Sequence, residues 1–210
     1  MCPAKRFAKA ASWLHTLLRP PPFEEGMIPS EYIILINLPD FNYSTSPRVE
    51  FDASPWGGGA VLYVEDKCSE YFYLGWEVED AVALDTVIGE SSGQTAWELL
   101  TVLIALIVWG RRFRAQGLSL LGDNLAALHA ALHLCGRKAL AKINREISWR
   151  RCRLGWRYAA GHLPAELNLV ADSLSRFYAP ADNRMKFLND QLKSGRLVSA
   201  PRPVDIWTIT

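Results

Sequence analysis

The most regular alternation of apolar and polar side chains begins at residue 48. Residues 48–53 alternate with the two-residue period of a half-buried strand. Residues 60–64 and 70–76 are rich in β-branched and aromatic side chains, which predicts two more strands. The three glycines at 57–59 predict a tight reversal between the first two strands. Strands that follow one another so closely predict an antiparallel meander.

The hydrophobic period changes to that of helices after residue 93. The stretch 95–116 is apolar almost all round, which predicts a buried central helix. Five further elements are predicted: a strand at 118–123, a helix at 124–136, a basic helix at 138–151, a strand at 155–159 and a helix at 167–177. The order β-β-β-α-β-α-α-β-α predicts a mixed α/β fold, with a five-stranded sheet and helices on both faces.

The segments on either side of this region are patterned differently. Residues 1–47 are irregular, with a stiff run of prolines at 20–22 and a turn-rich segment at 42–47. Residues 179–210 are polar with scattered prolines. The sequence therefore predicts one domain over 48–178, a connecting segment over 1–47 and a C-terminal tail over 179–210.

Composition excludes several classes of protein. Half of the 210 residues are hydrophobic and the net charge is only +1, which excludes a disordered charged tail. The four cysteines are scattered in a chain long enough to build a core without disulfides, which favours a reduced, intracellular protein. The most apolar run, 97–110, contains Glu98 and is ended by Arg111 and Arg112. Because a bilayer span needs about 20 apolar residues, we expect no membrane association.

The small net charge conceals a strong asymmetry along the chain. Residues 65–98 carry nine acids and one base, whereas residues 137–157 carry eight bases and one acid. A basic block of this kind is typical of a surface that binds a polyanion. A solvated helix face is the ordinary alternative.

Four carboxylates lie in otherwise apolar segments, namely Asp52, Glu98, Asp123 and Asp172. Each has an ordinary explanation when taken alone: Asp123 could cap the next helix, Asp52 could serve a turn, and Glu98 could complement a helix dipole. Taken together they suggest a shared site, because several buried carboxylates are tolerated only when they are paired or bind a cation. Oxygen ligands without Cys or His favour Mg²⁺, with Mn²⁺ as the other candidate.

The stretches around these carboxylates carry a family resemblance. They are FDASPWGGGAVL (51–62), TAWELLTVLIAL (95–106), LLGDNLAAL (120–128) and GHLPAELNLVADSLSR (161–176). Over residues 48–178 the chain resembles the type I ribonuclease H domain of retroelement reverse-transcriptase polyproteins, which implies a ribonuclease H-like fold. The chain has no pair of adjacent aspartates of the polymerase type, and Ala165 stands where the family often has Gly. The resemblance thus implies a fragment, a processed domain or a host-adopted copy, with residues 1–47 leading from a missing polymerase region.

The resemblance also implies a set of catalytic roles. Asp52 would bridge two Mg²⁺ ions, Glu98 and Asp123 would hold one of them, and Asp172 would hold the other. Glu98 would lie near the RNA 2′-hydroxyl, and His162 would shuttle a proton or assist product release; a surface loop position is the alternative for His162. No small-molecule cofactor is implied.

The predicted partner is an RNA–DNA hybrid, with an upstream reverse transcriptase domain as a further candidate. The residues predicted to grip phosphates of the DNA strand are Lys138, Lys142, Arg145, Arg150 and Arg151. Asn124 and Asn168 are predicted to reach the minor groove, with helix capping or a turn as the alternative for both.

Three functions are compatible with these features. The leading prediction is a two-metal endonuclease that hydrolyses the RNA strand of RNA–DNA hybrids. The first alternative is a catalytically silent ribonuclease H-like module that binds nucleic acid or acts as a scaffold, although all four carboxylates are present. The second is an integrase or transposase, but these usually have Glu on the last helix, where this chain has Asp172.

Overall fold

The computed structural model describes residues 47–180, 191–202 and 206–207. Nearly all of the predicted connecting segment, 1–46, lies outside the described residues. The strands are β1 (Arg48–Ser54), β2 (Gly57–Val64), β3 (Lys67–Gly75), β4 (Leu118–Gly122), β5 (Tyr158–His162) and β6 (Arg196–Leu197). The helices are α1 (Val78–Leu84), α2 (Gln94–Ala105), α3 (Leu125–His133), α4 (Ala139–Leu154) and α5 (Leu169–Ser175).

The strands form one mixed sheet in the order β5-β4-β1-β2-β3-β6. Strands β1, β2 and β3 pair antiparallel, while β4 is parallel to β1 and β5 is parallel to β4. The predicted mixed α/β fold and its meander are confirmed. The predicted number of five strands is wrong, because Arg196 and Leu197 pair with Glu70 and Tyr71 of β3 as a sixth strand. A two-residue strand is too short to show an alternating pattern in the sequence.

Helices cover both faces of the sheet. On one face α2 packs against Phe51, Ala60 and Leu62, and it separates the sheet from α3 and α4. On the other face α5 packs Leu174 against Val61, which lies between Ala60 and Leu62 along β2 and therefore points the opposite way. This arrangement holds α2 and α5 on opposite sides of β1.

The three glycines at 57–59 are part of β2, and the chain reverses at Pro55 and Trp56. The prediction of a glycine turn is therefore wrong. A Cβ atom on Gly59 would lie 2.4 Å from the Cβ of Leu174, so the glycine allows α5 to approach the sheet backbone.

The central helix and β5 end at other positions than predicted, and one further helix is present. The central helix ends at Ala105 and continues as a π-helical turn over Leu106–Gly110, short of the predicted end at 116. Strand β5 lies three residues later than predicted, which moves His162 from a loop to the end of the strand. Helix α1, which has exposed valines at 78 and 82, was not predicted.

Among the described residues, the segment Ser91–Gly110 is long and apolar enough to cross a membrane by length and composition. In the fold, 78% of its most apolar stretch is buried. A length and composition of this kind are shared by membrane spans and by the buried core helices of folded domains. The apolar surface of this segment is used in packing between the sheet and the other helices.

Candidate active site

Three carboxylates converge at one end of the sheet. Asp52 lies in β1 and Asp123 directly follows β4, and the pairing of Glu50 with Leu121 aligns these two parallel strands so that both acids lie near their carboxyl ends. Glu98, on α2, faces them from the covering helix. One oxygen from each of the three carboxylates lies within 4.8 Å of the others. Asp52 and Glu98 are buried, and Asp123 is half-buried.

Hydrogen bonds from neighbouring side chains hold two of these carboxylates in place. The Ser175 hydroxyl donates to Oδ2 of Asp52 over 2.7 Å and also lies 2.9 Å from the Asp172 carbonyl oxygen. The Gln94 amide donates to Oε1 of Glu98 over 3.1 Å and to the carbonyl oxygen of Ala53. Neither Ser175 nor Gln94 was among the predicted site residues. Ser175 lies three residues after Asp172 and Gln94 lies four residues before Glu98. Residues at these spacings share a helix face, and this was the signal that could have identified them.

Burial gives the site an unusual affinity for protons. Desolvation raises the pKa of Asp52 to about 7; the hydrogen bond from Ser175 opposes this shift, and the charges of Asp123 and Asp172 add to it. Desolvation, followed by the charge of Asp52, raises the pKa of Glu98 well above its ordinary value. These acids therefore resist carrying two negative charges unless a positive charge is present.

The same residues fit a hard divalent cation. Oε2 of Glu98 is buried and has no hydrogen-bond partner in the described part of the chain. The donor set consists only of carboxylate oxygens, which Mg²⁺ and Mn²⁺ prefer. A cation would satisfy the orphaned oxygen and offset the mutual repulsion of the acids.

Asp172 lies close to the three carboxylates but outside the group that they form. Its charge acts on Asp52, so the two are near neighbours. Its Oδ1 atom is 2.6 Å from Nε of Arg176, the residue at the C-cap of α5. The structure thus brings the four predicted acids to one end of the sheet and pairs the fourth with a guanidinium. Arg176 was not predicted as a site residue.

His162 is the exposed last residue of β5 and pairs in register with Gly122, the residue before Asp123. This pairing places His162 beside the strand end that Asp123 follows. Its predicted role in proton transfer stays a prediction.

The two predicted minor-groove asparagines have structural partners. The Asn124 side-chain oxygen accepts from the backbone amides of Ala126 and Ala127, at 3.0 and 3.1 Å, and caps α3. Asn168 is 1% exposed and donates from Nδ2 to the carbonyl oxygen of Phe51 over 3.0 Å. Both asparagines therefore position the segments that carry Asp123 and Asp172. Their contacts with nucleic acid stay predictions.

Two of the predicted phosphate-binding residues on α4 contact other parts of the protein. Lys142 donates to the carbonyl oxygen of Ala83 over 3.3 Å, and its ammonium lies 4.4 Å from the ring centre of Trp207. Arg150 donates to the carbonyl oxygen of Ile206 over 2.8 Å. These contacts draw both side chains towards α1 and the C-terminal residues.

The other three predicted phosphate-binding residues differ in exposure. Lys138 is exposed just before α4, while Arg145 and Arg151 are half-buried. The Arg151 guanidinium lies 5.2 Å from the ring centre of Tyr158. Lys138 is therefore the most accessible of the five predicted cations.

No protein-family model and no curated protein matches the sequence. Among solved structures, RNase H1 from the halophilic archaeon Halobacterium salinarum NRC-1 is similar, with 17% identity and a TM-score of 0.44 over 61% of this chain and 93% of the other. LC11-RNase H1, isolated from compost by a metagenomic approach, has 16% identity and a TM-score of 0.44, over 62% and 92% of the two chains. The same LC11 protein in complex with RNA/DNA hybrid has 14% identity and a TM-score of 0.43, over 61% and 91%.

Proposed function

We propose that this protein is a metal-dependent endonuclease that hydrolyses the RNA strand of RNA–DNA hybrids. The observation that carries the proposal is the group of three carboxylates, Asp52, Glu98 and Asp123, whose oxygens lie within 4.8 Å of one another in a largely buried setting. Desolvation raises the pKa of Asp52 and of Glu98, so ionising these acids in the folded chain costs free energy. A purely structural role would leave that cost without a compensating positive charge. Divalent cations make such a group both stable and chemically useful.

In this proposal Asp52, Glu98 and Asp123 would hold one Mg²⁺, and Asp52 and Asp172 would hold a second; Mn²⁺ could replace either ion. When bound, the cations supply a nucleophilic water at neutral pH and stabilise charge on the leaving oxygen. Ser175 orients Asp52 and Gln94 orients Glu98 through the hydrogen bonds described above. The chain thereby keeps the ligand oxygens pointed into the site before substrate arrives.

The remaining predicted residues would handle protons and substrate. His162, exposed at the end of β5, would shuttle a proton or assist product release. Glu98 faces the RNA 2′-hydroxyl, which distinguishes RNA from DNA. Lys138, at the accessible end of α4, binds a phosphate of the DNA strand, and this contact positions the duplex without reading its sequence.

We further propose that the domain belongs to, or derives from, a retroelement reverse transcriptase and acts inside the cell. The motif GHLPAELNLVADSLSR at 161–176 supports the origin. The cysteines at 68, 135 and 152 are unpaired, which is consistent with a reducing compartment. An upstream polymerase domain would then either be a separate partner of this chain or have been lost from it.

The decisive experiment is cleavage of an end-labelled RNA–DNA hybrid by the full chain, in Mg²⁺ and then in EDTA. We expect cleavage of the RNA strand only, in Mg²⁺ only. Asp123→Asn should abolish cleavage while leaving the melting temperature in EDTA unchanged or higher. Glu79→Gln, which removes an exposed carboxylate from α1, is the matched control and should retain full activity.

Two results would change the assignment. Hybrid binding without cleavage in any divalent metal would favour the catalytically silent module, and strand transfer of DNA ends without hybrid cleavage would favour an integrase or transposase. Full activity of the Asp123→Asn variant would refute the site itself.

A further inference from the structure

A second group of side chains of the kinds that bind metals lies on the surface, at the carboxyl end of α3. Its members are His129 and His133, which are one turn apart on the helix, and Cys135, which follows the helix. All three residues are exposed. They lie outside the carboxylate group, because Asp123 precedes the opposite end of α3 and the helix is about 13 Å long.

The end of α3 brings Cys135 back over the last turns of the helix. Leu134, the C-cap residue, adopts the left-handed conformation with a φ of 51° and a ψ of 38°, which ends the helix and turns the chain. The Asn144 side-chain amide donates to the carbonyl oxygen of Cys135 over 2.7 Å, and Asn144 itself is 3% exposed. The position of Cys135 is therefore set by the backbone turn and by a hydrogen bond from a buried side chain of α4.

The thiol and one imidazole are spaced as two ligands of one metal ion are. The Cys135 Sγ atom lies 3.5 Å from Nδ1 of His129. A tetrahedral zinc ion, with bonds of about 2.3 Å to sulfur and about 2.0–2.1 Å to nitrogen, separates these two ligand atoms by about 3.5 Å. The His129 and His133 rings lie side by side, with their centres 4.4 Å apart and their planes inclined by 43°. Turning the exposed His133 side chain would bring one of its nitrogens to the same ion.

From this juxtaposition we propose that His129, His133 and Cys135 form a zinc site, with water as the fourth ligand. Imidazole and thiolate select Zn²⁺ over Mg²⁺ and Mn²⁺, which prefer oxygen ligands. The metal replaces the thiol proton, which is released to the solvent. The bound ion would fasten the segment between α3 and α4, which carries Lys138, to the end of α3. The inference goes beyond the proposed function, because it uses none of the four acids and stands whether or not the chain cleaves hybrids.

Cobalt binding to the full chain tests the site, because Co²⁺ replaces Zn²⁺ in tetrahedral sites and its bond to a thiolate gives a charge-transfer band in the near ultraviolet. With a thiol-free reductant present, we expect this band to saturate at one Co²⁺ per chain and to disappear when Zn²⁺ is added. Cys135→Ser should abolish the band. Because loss of an outer-shell partner alone costs a metal site about 10–100-fold in affinity, His129→Gln and His133→Gln should each weaken Co²⁺ binding at least about tenfold.

The matched control is Cys152→Ser, which alters a half-buried cysteine of α4 and should retain the band. Absence of the band in the wild type, or its persistence in Cys135→Ser, would overturn the zinc site and leave the contact with His129 as a thiol–imidazole hydrogen bond. Unchanged Co²⁺ affinity in either histidine variant would also overturn it. Asp123→Asn should keep the band, so failure of hybrid cleavage and failure of this site are separate results. Far-ultraviolet circular dichroism verifies the fold of each variant.

Discussion

The buried acid Asp52 makes the stability of the folded chain depend on pH. Desolvation raises the pKa of Asp52 from an ordinary 3.8 to about 7, whereas Ser175 partly compensates by donating to the ionised form. Between about pH 4 and pH 7 the folded chain therefore binds more protons at Asp52 than the unfolded chain does. The contribution of neutral Asp52 to the free energy of unfolding is therefore full below about pH 4, and it is lost as the pH rises towards about 7.

Asp52→Asn should abolish this dependence. In EDTA at about pH 7.5 the variant should be more stable than the wild type by about 2–4 kcal/mol, and at about pH 4 the difference should vanish, because the asparagine stays neutral and can still accept from Ser175. Urea unfolding at both pH values measures this. Glu79→Gln should follow the wild type at both. A difference in stability between the wild type and Asp52→Asn that is the same at both pH values would contradict the raised pKa of Asp52.

At the scale of secondary-structure elements, the ends of strands and helices determine where the acids lie. Asp123 occupies the single position between β4 and the cap of α3, so the length of that junction sets where its carboxylate lies. The Asn124 cap satisfies two amides at the start of α3. Asn168 anchors the start of α5 to Phe51, beside Asp52.

Asn124→Ala should therefore lower the free energy of unfolding by about 1 kcal/mol, because two helical amides lose their acceptor. Asn124→Ser keeps an acceptor oxygen and should stay within about 0.5 kcal/mol of the wild type. Urea unfolding in EDTA distinguishes them. If the serine variant keeps its stability but binds the hybrid more weakly than the wild type, the asparagine amide also contacts nucleic acid. Equal stability of the alanine variant and the wild type would exclude the cap as a source of stability.

At the scale of the whole molecule, the C-terminal residues pack against the domain. Ile206 is 2% exposed within the main core, and Glu70 accepts hydrogen bonds from Trp109, Arg112 and Arg196. Burial alone would raise the pKa of Glu70, but these donors outweigh it and the pKa is lowered. The described part of 179–210 thus adds a strand and core contacts to the domain.

Ile206→Ala should lower the free energy of unfolding by about 2–4 kcal/mol, because it leaves a cavity in the core. Ser199→Ala, at an exposed position in the same C-terminal part, should have little effect. Denaturant unfolding followed by tryptophan fluorescence makes the comparison. A neutral Ile206→Ala variant would show that this residue does not contribute to the core.

Metal binding should also be visible in the stability of the whole chain. A cation present at about 100 times its dissociation constant adds about 2.7 kcal/mol, which corresponds to roughly 5–10 °C in melting temperature for a domain of this size. We expect Mn²⁺ to raise the melting temperature of the wild type and of Glu79→Gln by this amount, and to leave Asp123→Asn almost unchanged. An equal rise in all three, measured by differential scanning fluorimetry, would indicate binding elsewhere.

Local sequence was sufficient for the main elements and their order. Alternation predicts β1, uninterrupted apolar character predicts α2, and the position of Asp123 after an apolar strand predicts an acid at a strand end. These features follow from side chains close together in the chain, so they can be recognised without knowing the fold. The four acids could be nominated for the same reason, because each interrupts an apolar segment.

The tertiary structure alone decided which groups meet. The glycines at 57–59 are strand residues on which Leu74, Thr101 and Leu174 close in from three different elements. The sixth strand joins Arg196 to Glu70 across 126 positions of sequence. The pairing of Asp172 with Arg176 is local, but only the approach of α5 to β1 brings that guanidinium to Asp52. Burial and contacts between remote segments shift the pKa values of Asp52, Glu98 and Glu70, and the local spacing of residues encodes neither burial nor such contacts.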